Sequence, residues 1–353
     1  MKLIKTVDAE GAVLCHDITQ IIKGVTKDAV FRKGHVVTKE DIPVLLSVGK
    51  DQLYVWEKEE GMLHENEAAE ILVSLCQSDH MIPSEVKEGK IELSAACDGL
   101  LKVNQEGMLA VNGFGQMMIA SRHGNFPVKK GDKICGTRII PLVIEEEKMQ
   151  RVKEACLLAT GGKPIFSLLP FAQKKVGIVT TGNEVFYGRI EDTFTPVLKD
   201  KFAEYGAEVI DHEIWNDDDT KVTASILKMI DEGADIVCCT GGMSVDPDDK
   251  TPLAIKNTGA RIVSYGAPVL PGAMFLLAYM EVKKEDGSTK TVAIMGLPGC
   301  VMYARRTIFD LVLPRVMAED EVTAGELSSL GQGGLCLSCP TCTFPNCGFG
   351  KGW

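Results

Sequence analysis

The sequence predicts an α/β protein whose largest part is a three-layer α/β/α domain with a mixed sheet, preceded by an α+β unit and a small β-rich domain. Two observations predict this class. Apolar stretches of strand length alternate with amphipathic stretches of helix length over residues 174–317, as in a sheet with helices on both faces. Residues 86–144 instead carry short apolar runs separated by Asp-Gly, Asn-Gly and Gly-Asp pairs, which are typical of a small β-rich domain.

Size and composition indicate a globular protein. The chain has 353 residues, 45% hydrophobic and 25% charged, so two or three domains can each have a core. The net charge of −11 argues against a generic nucleic-acid binder, which would carry a basic face. No apolar run approaches the roughly 18 residues that span a bilayer, and no signal peptide is expected. We therefore expect a cytoplasmic protein, with no membrane or nucleic-acid partner, whose cysteines are reduced thiols or metal ligands.

Changes in the pattern of apolar residues, turn residues and cysteines divide the chain into five predicted segments. A helix is expected to start near Thr38, with Thr38 as N-cap and Asp41 in the capping-box position, and another covers residues 65–76. The predicted segments are an N-terminal α+β unit at 1–80, a small β-rich domain at 81–150, a linker at 151–173, the α/β domain at 174–318 and a cysteine-rich tail at 319–353.

The remaining elements follow from apolar periodicity and turn signals. Residues 107–113 are expected to form a strand of the β-rich segment. The turn EDGS at 285–288 is expected to join two long strands as a hairpin, which makes the larger sheet mixed. The strands of that sheet are predicted at VGIVTT, AEVIDHEIW, DIVCCT, RIVSYG, MFLLAYMEV and TVAIMG, and its helices at about 194–205, 220–232, 252–257 and 301–312.

The first loop of the candidate site is TTGNE at residues 180–184, directly after a buried strand. Its functional interpretation is recognition of a phosphate or pterin by Thr181 and Gly182, with Glu184 as a partner for a metal or a ring nitrogen. The second loop, at residues 240–249, also follows a buried strand and contains Gly241, Gly242, Ser244 and Asp249. Glycines let the backbone approach an anion closely, and Asp249 could hold Mg²⁺, which prefers oxygen ligands.

Both loops also have a structural interpretation. The first could be a tight turn in which Asn183 bonds its own backbone. In the second, Asp248 and Asp249 could stabilise the dipole of a helix that has Thr251 as its cap and Pro252 at its first position. Two further loops contain Pro-Gly pairs, which are usually turns: the third loop, Leu297-Pro298-Gly299, and the fourth loop, Leu270-Pro271-Gly272.

These loops, together with the acidic pair Asp217-Asp218 before a helix, agree in order and spacing with a known family pattern. They resemble the molybdopterin-binding domain shared by the molybdenum-cofactor biosynthesis proteins MoaB, MogA and MoeA and by CinA. The resemblance covers roughly residues 174–314. Because an N-terminal extension precedes it, the chain is most similar to MoeA-like proteins, which insert molybdenum into adenylylated molybdopterin.

The resemblance implies roles for individual residues. The implied cofactor is molybdopterin or its adenylylated form, with molybdate and Mg²⁺ as further ligands, AMP as product and a homodimer as the assembly. Glu184, Asp218 and Asp249 are the implied catalytic carboxylates, and Asp249 would hold Mg²⁺. The implied cofactor-binding residues are Thr181, Gly182, Asn183, Gly241, Gly242, Ser244, Pro271, Gly272, Pro298 and Gly299.

Three functions stay open at this point. The first is a MoeA-like molybdopterin molybdenumtransferase that releases AMP with help from Mg²⁺. The second is a non-catalytic carrier or sensor of molybdopterin that docks to a molybdoenzyme. The K-P-G-K-P pattern of the family is LPGAM at residues 270–274, and the two missing lysines favour this second function. The retained carboxylates Glu184, Asp218 and Asp249 favour the first. The third is a CinA-like nucleotide-processing protein with the same fold.

Four cysteines in the tail have the spacing of metal ligands: Cys336-x2-Cys339-x2-Cys342-x4-Cys347. Four thiolates this close in sequence can surround Zn²⁺ or an iron–sulfur cluster, and the run approaches the bacterial ferredoxin spacing without matching it. The alternative is a tail of free thiols. The sequence predicts a metal site here and leaves the metal open.

Overall fold

The structure is a computed structural model that describes residues 2–22, 26–55, 60–244, 246, 249–284 and 286–352. The chain divides into two compact units. The first comprises Met1–Ser94, Asn104–Arg122 and Lys133–Ser167, and the second comprises Ala95–Val103, His123–Asp132 and Leu168–Trp353. The five segments predicted from the sequence are proposed folding domains, and the division into two units does not test them, so they stay a prediction.

The elements are numbered in chain order. Up to residue 170 they are β1 Lys2–Lys5, β2 Ile18–Ile22, β3 Thr26–Phe31, α1 Asp41–Ser47, β4 Gln52–Val55, β5 Met62–His64, α2 Glu65–Cys76, β6 Met81–Pro83, β7 Lys90–Ala95, β8 Gly99–Val103, α3 Gln105–Asn112, β9 Met117–Ser121, β10 Phe126–Val128, β11 Lys133–Ile139, β12 Val143–Glu145, α4 Glu146–Thr160 and β13 Phe166–Pro170. Beyond it they are β14 Lys175–Thr181, α5 Asn183–Phe186, α6 Phe194–Ala203, β15 Glu208–Trp215, α7 Asp219–Asp231, β16 Ile236–Thr240, α8 Thr251–Asn257, β17 Arg261–Tyr265, β18 Leu276–Lys283, β19 Thr289–Leu297, α9 Cys300–Tyr303, α10 Ile308–Met317 and α11 Ala324–Ser329.

The first unit is built from short antiparallel pairings and three longer helices. β1 pairs with β4, β2 with β3 and β5 with β12, and a four-stranded sheet has the order β6-β7-β11-β9. The predicted helix at residues 65–76 is confirmed as α2. It starts there because His64 and Glu67 form a capping box at its N-terminus.

Two predictions in the first unit are wrong. Most of the predicted strand at 107–113 lies in helix α3, because the side chain of Asn104 caps this helix by accepting a hydrogen bond from Gly107 N at 2.8 Å. Helix α1 begins at Asp41 with Glu40 as its N-cap, so Thr38 is not the cap. The Asp41 carboxylate still accepts a hydrogen bond from Thr38 N at 2.8 Å, which explains why the pattern resembled a capping box.

The second unit contains a mixed six-stranded sheet with the order β15-β14-β16-β19-β18-β17. The first four strands are parallel, and β18 runs antiparallel to both β19 and β17. All six predicted strands are present. The predicted hairpin turn between β18 and β19 includes Glu285, which lies outside the described residues.

Side chains of the central strands alternate between the two faces of this sheet. Ile236 and Cys238 pack in one apolar cluster with residues of α6 and α10, whereas Val237 and Cys239 pack in another with residues of α7 and α8. Successive residues of a strand point to opposite faces, so a strand buried on both faces is apolar throughout. The three-layer α/β/α fold class is confirmed.

Two helix boundaries in the second unit differ from prediction. The predicted helix at 301–312 is interrupted, because Thr307 and Asp310 form a capping box that starts α10 after a break. Helix α8 begins at Thr251 with Lys250 at the N-cap, so Thr251 is the first helical residue and not the cap.

Parts of the sequence assigned to the β-rich segment pack in the second unit. β8 pairs antiparallel with β10, and Phe126 of β10 is buried in the same apolar cluster as Phe309 of α10. The sheet formed by β10, β8 and β13 therefore covers one side of α10.

The helices are short. The longest described one, α4, has 15 residues, and no helix in the described parts of the chain has the length and apolar character needed to cross a membrane. The cytoplasmic location stays a prediction.

Candidate functional site

The candidate loops meet at one edge of the large sheet. At the ends of the parallel strands, Thr181 of β14 lies opposite Trp215 of β15, and Thr240 of β16 lies opposite Leu297 of β19. β14 and β16 are paired directly, with Thr180 opposite Thr240. The loops that follow these four parallel strands therefore lie side by side, at the edge where ligands bind in open α/β sheets.

Thr181 connects the first loop to the second. Its hydroxyl donates a hydrogen bond to Thr240 O at 3.1 Å and lies 3.0 Å from the hydroxyl of Thr251, with which it is also hydrogen bonded. Thr181 is buried, with 4% of its surface exposed. The structure therefore uses the Thr181 hydroxyl to hold the two loops and the start of α8 together.

The first and second loops approach so closely that Gly241 and Gly242 have no room for a side chain. Gly241 has φ of +81° and Gly242 has φ of +54°, a region that glycine occupies at least cost. A Cβ at Gly241 would overlap the backbone oxygen of Thr181, and one at Gly242 would lie 2.8 Å from the Thr251 hydroxyl. The two loops can touch because neither glycine has a side chain.

The remaining residues of the first loop bind neighbouring backbone and side chains. Gly182 N donates to Trp215 O at 3.1 Å. The side-chain amide of Asn183 donates to Asp217 Oδ2 at 2.7 Å, so Asn183 links the loop to the end of β15. The exposed carboxylate of Glu184 bends back over Gly182, since a Cβ at that glycine would lie 3.0 Å from Glu184 Oε1.

The other two predicted catalytic carboxylates have structural partners. Asp218 is the N-cap of α7, and its Oδ1 accepts hydrogen bonds from Thr220 N and Lys221 N at 3.1 and 3.3 Å. Asp249 is half-buried, and its Oδ2 accepts a hydrogen bond from Asp246 N at 3.3 Å. Asp248, the other acid in the structural interpretation of this loop, lies outside the described residues.

Sequence reasoning missed the residues that shape the edge. Tyr265 of β17 donates its hydroxyl hydrogen to Met243 O at 3.0 Å, beside the exposed Ser244. Burial, and to a lesser degree Asp249, raises the pKa of this hydroxyl. Asn216, at the end of β15, has a buried side-chain oxygen without a hydrogen-bond partner among the described residues. A buried acceptor of this kind usually has a partner, which here would be a ligand donor or water.

A polar cluster lies below the first loop. His212 Nε2 is 3.0 Å from the Thr180 hydroxyl, 3.1 Å from the Thr195 hydroxyl and 3.3 Å from the Asp192 carboxylate. Burial lowers the pKa of His212. Burial raises the pKa of Asp192, but hydrogen bonds from Thr195 and Phe194 outweigh it, so the pKa lies below its usual value. The cluster positions the C-terminal end of β14, and no sequence motif pointed to it.

Positive charge is present close to this edge although the family lysines are absent from the fourth loop. The Lys221 ammonium lies 5.4 Å from the centre of the Trp215 ring, and the Arg189 guanidinium lies 5.4 Å from that of Tyr187. Lys221 lies in the first turn of α7, Arg189 lies three residues after the end of α5, and both are exposed.

The two Pro-Gly loops are differently disposed. Pro298 is buried and Gly299 exposed, next to the end of β19. Gly272 is buried with φ of +128°, and a Cβ there would overlap Ile308, whose N–H donates to Pro271 O at 3.2 Å. The Pro271-Gly272 loop is thus packed against the start of α10.

The cysteine tail is attached to this same loop. Leu270 N donates to Gly334 O, and Cys336 N donates to Leu270 O, both at 2.8 Å. Cys336, Cys339, Cys342 and Cys347 all line one cavity of about 590 Å³. Within the described residues no group of three or more His, Cys, Asp or Glu side chains is placed to hold a metal ion. The Mg²⁺ site at Asp249 and the tail metal stay predictions.

The comparison with family models covers two parts of the chain. Residues 177–318 match a family model described as a probable molybdopterin binding domain, and residues 3–57 match a domain of unknown function. The first match contains every loop described above, and it confirms the recognition of a molybdopterin-binding domain over those residues. The cysteine tail lies outside both matches.

Curated relatives share a short part of the chain. It is 34% identical over 77 residues to CinA-like proteins of Mycolicibacterium gilvum and Mycobacterium avium, which covers 22% of this chain and 18% of each relative. The chain thus matches less than a fifth of the length of these relatives.

Several solved structures are similar to a part of the chain. The tungsten cofactor synthesizing protein MoaB from Pyrococcus furiosus is 19% identical with a TM-score of 0.34, over 42% of this chain and 98% of that one. The molybdopterin biosynthesis enzyme MoaB from Thermus thermophilus is 22% identical with a TM-score of 0.34, over 43% and 98%. CinA from Thermoplasma acidophilum, of unknown function, is 17% identical with a TM-score of 0.31, over 41% and 98%.

Proposed function

We propose, from the molybdopterin-binding domain model that residues 177–318 match, that this protein acts in molybdenum cofactor biosynthesis. It binds molybdopterin, or the adenylylated form, at the edge formed by the ends of β15, β14, β16 and β19. The observation that carries the proposal is the contact between Thr181 and Gly241, which brings the two glycine loops of the matched segment together at that edge.

The ligand groups suit different parts of this edge. The exposed cations Lys221 and Arg189 suit a phosphate or pyrophosphate, because they carry positive charge beside the loop ends. The unpaired side-chain oxygen of Asn216 suits an amino group, such as that of a pterin ring. Ser244 is exposed on the second loop and offers a further hydrogen bond.

We further propose molybdate insertion with release of AMP as the reaction. Glu184 is the exposed carboxylate at the edge, whereas Asp218 is bound as a helix cap. Mg²⁺ prefers oxygen ligands, so the half-buried Asp249 carboxylate of the second loop would be its protein ligand, together with oxygens of the bound phosphate. When bound, Mg²⁺ would neutralise phosphate charge, while Lys221 and Gly242 position the anion.

The carrier or sensor remains the second candidate. Its support is the fourth loop, where Leu270 and Gly272 are bound to the tail and to α10, and where no lysine is present to meet a phosphate. A CinA-like nucleotide-processing role is the third candidate, supported by the 77-residue similarity.

Release of AMP from adenylylated molybdopterin, with and without molybdate and Mg²⁺, tests the reaction. We expect release that depends on molybdate and falls at least tenfold in Asp249→Ala, with pterin binding retained. Asp200→Ala is the matched control, because Asp200 is an exposed carboxylate on α6. Tight binding without release would overturn the reaction in favour of the carrier. Absence of binding would overturn the whole proposal.

A further inference from the structure

Ten of the twelve cysteines fall into two groups by environment. Six are buried in the described chain, namely Cys15, Cys76, Cys135, Cys156, Cys238 and Cys239. Burial raises the pKa of thiols such as Cys238 and Cys239, which keeps them protonated and inert. In the tail, Cys339 and Cys342 are exposed, and Cys336 and Cys347 are half-exposed. All four tail thiols border the same cavity, although they lie on a segment without helix or strand.

Both ends of the cysteine segment are anchored. The first end is held by the hydrogen bond from Cys336 N to Leu270 O. The second end is held by Phe349, which is 4% exposed in the main apolar cluster, and by the hydrogen bond from Gly350 N to Gly333 O at 2.9 Å. The tail thus forms a closed loop whose ends are fixed and whose middle, with Cys339 and Cys342, faces solvent.

Aromatic and cationic side chains surround the cavity. Phe344 packs edge-on against Phe126, with ring centres 5.7 Å apart. Arg305 donates to Pro340 O at 2.8 Å, and the Arg306 guanidinium lies 5.1 Å from the centre of the Phe344 ring. Both arginines line the cavity, although the chain as a whole carries a net charge of −11. A group of thiolates with a metal is anionic, so this local positive charge complements it.

We propose that Cys336, Cys339, Cys342 and Cys347 bind one iron–sulfur cluster in this cavity. Each thiolate binds a different iron of a four-iron cluster, so the thiols need to border one cavity without surrounding a single point. The spacing of the cysteines favours a cluster over a zinc ion, because all four lie within twelve residues of the tail. Structural zinc sites separate their Cys-x2-Cys pairs by a longer loop.

The cluster site adjoins the candidate site without depending on it. Pro271 lines the cavity and also belongs to the fourth loop, and Leu270 carries the hydrogen bonds to the tail. Binding of the cluster would order the exposed segment between two fixed ends, because metal binding and local folding are coupled. The inference does not rest on the proposed function, since it needs no pterin.

Anaerobic reconstitution of the full chain tests this inference. The protein is incubated with ferric iron, sulfide and a thiol reductant that supplies two electrons per four irons, desalted, and analysed for iron, sulfide and visible absorption. A second sample is incubated with zinc alone. We expect about four iron and four sulfide per chain, with the charge-transfer absorption of a cluster. One zinc bound tightly per chain without iron uptake would overturn the cluster, and so would uptake of neither.

Variants assign the ligands. Cys339→Ser and Cys342→Ser change exposed thiols, so circular dichroism should show the fold intact while iron uptake falls at least fivefold. Cys97→Ser, a half-exposed cysteine of the second unit outside the tail, is the matched control and should retain the iron content of the wild type. Equal iron uptake in the wild type and in the Cys339→Ser, Cys342→Ser double variant would overturn the assignment. Pterin binding by the same samples is measured separately, so that failure of the proposed function is distinguishable.

Discussion

The contact between the two glycine loops and the cysteine tail are both irregular segments of the second unit, but they are held in different ways. Around Gly241 the chain is closely packed, and one buried hydroxyl, that of Thr181, connects β14, β16 and α8. The tail is fixed at its two ends and exposed between them. The glycine loops are therefore closely packed, whereas the middle of the tail is held by a few contacts, such as the hydrogen bond from Arg305 to Pro340 O, and leaves Cys339 and Cys342 exposed.

The largest expected effect is at Gly241. Substitution Gly241→Ala would place a Cβ on the Thr181 carbonyl at a φ of +81°. Strain and overpacking together should lower the free energy of unfolding by about 3–5 kcal/mol. Urea unfolding followed by circular dichroism measures it. Gly188→Ala is the control, because Gly188 has φ of +69° but open space around it, and should cost about 1 kcal/mol. Equal losses would contradict the close contact between the loops.

The anchor of the tail gives the next largest effect. Phe349 is 4% exposed in the apolar cluster, so Phe349→Ala should lower the free energy of unfolding of the second unit by about 3 kcal/mol. Leu337→Ala is the control within the same tail, since Leu337 is 77% exposed and should change stability by less than about 0.5 kcal/mol. If Phe349→Ala behaved like Leu337→Ala, the tail would not be docked as described.

The hydroxyl that joins the loops should have a smaller effect. Thr181→Val keeps the shape but removes the donor to Thr240 O and the partner of Thr251. We expect a loss of about 2 kcal/mol, because buried hydrogen-bonding groups are left unpaired. Thr220→Val, at an exposed position of α7, is the control. A stability of Thr181→Val equal to that of this control would show that the hydroxyl does not hold the loops.

The smallest effect is a pH dependence at the same edge. Burial lowers the pKa of His212 below 6.5 in the folded state. The unfolded chain therefore takes up a proton more readily, and the free energy of unfolding should fall as the pH drops below about 6.5. Urea unfolding at pH 7.5 and 5.5 should show a larger loss in the wild type than in His212→Gln. An equal loss in the wild type and in His212→Gln would mean that His212 does not contribute to the pH dependence of the free energy of unfolding.

Much of the fold could be predicted from local patterns. The strands of the large sheet and the helix at Glu65–Cys76 follow from periodicity and from acids or caps near the first turn. The predicted elements were wrong where a helix-capping side chain determined where a helix begins. Asn104 caps the start of helix α3, which was predicted as a strand. Thr307 and Asp310 start α10 inside the predicted helix at 301–312. The sequence contains these capping residues, but it does not show whether the chain starts a helix at them, because that depends on the surrounding tertiary structure.

The candidate site could be predicted in part. The order of the glycine loops predicted that they would meet at one edge of the sheet, because the carboxyl ends of parallel strands share one edge. The roles of individual side chains could not be predicted in the same way. Asp218 is a helix cap, and Tyr265 and His212 enter the site from β17 and β15. Residues from distant strands meet only when the strand order and register are known.

The sequence by itself determined the alternation of Ile236, Val237, Cys238 and Cys239 between two faces, and hence the three layers, because apolar burial follows the period of the strand. It also determined the glycines and the cysteine spacing. Tertiary structure alone decided that Gly241 contacts Thr181 and that the tail docks on Leu270. The physical reason is that periodicity and capping act over a few residues, whereas these contacts depend on how distant segments pack against one another.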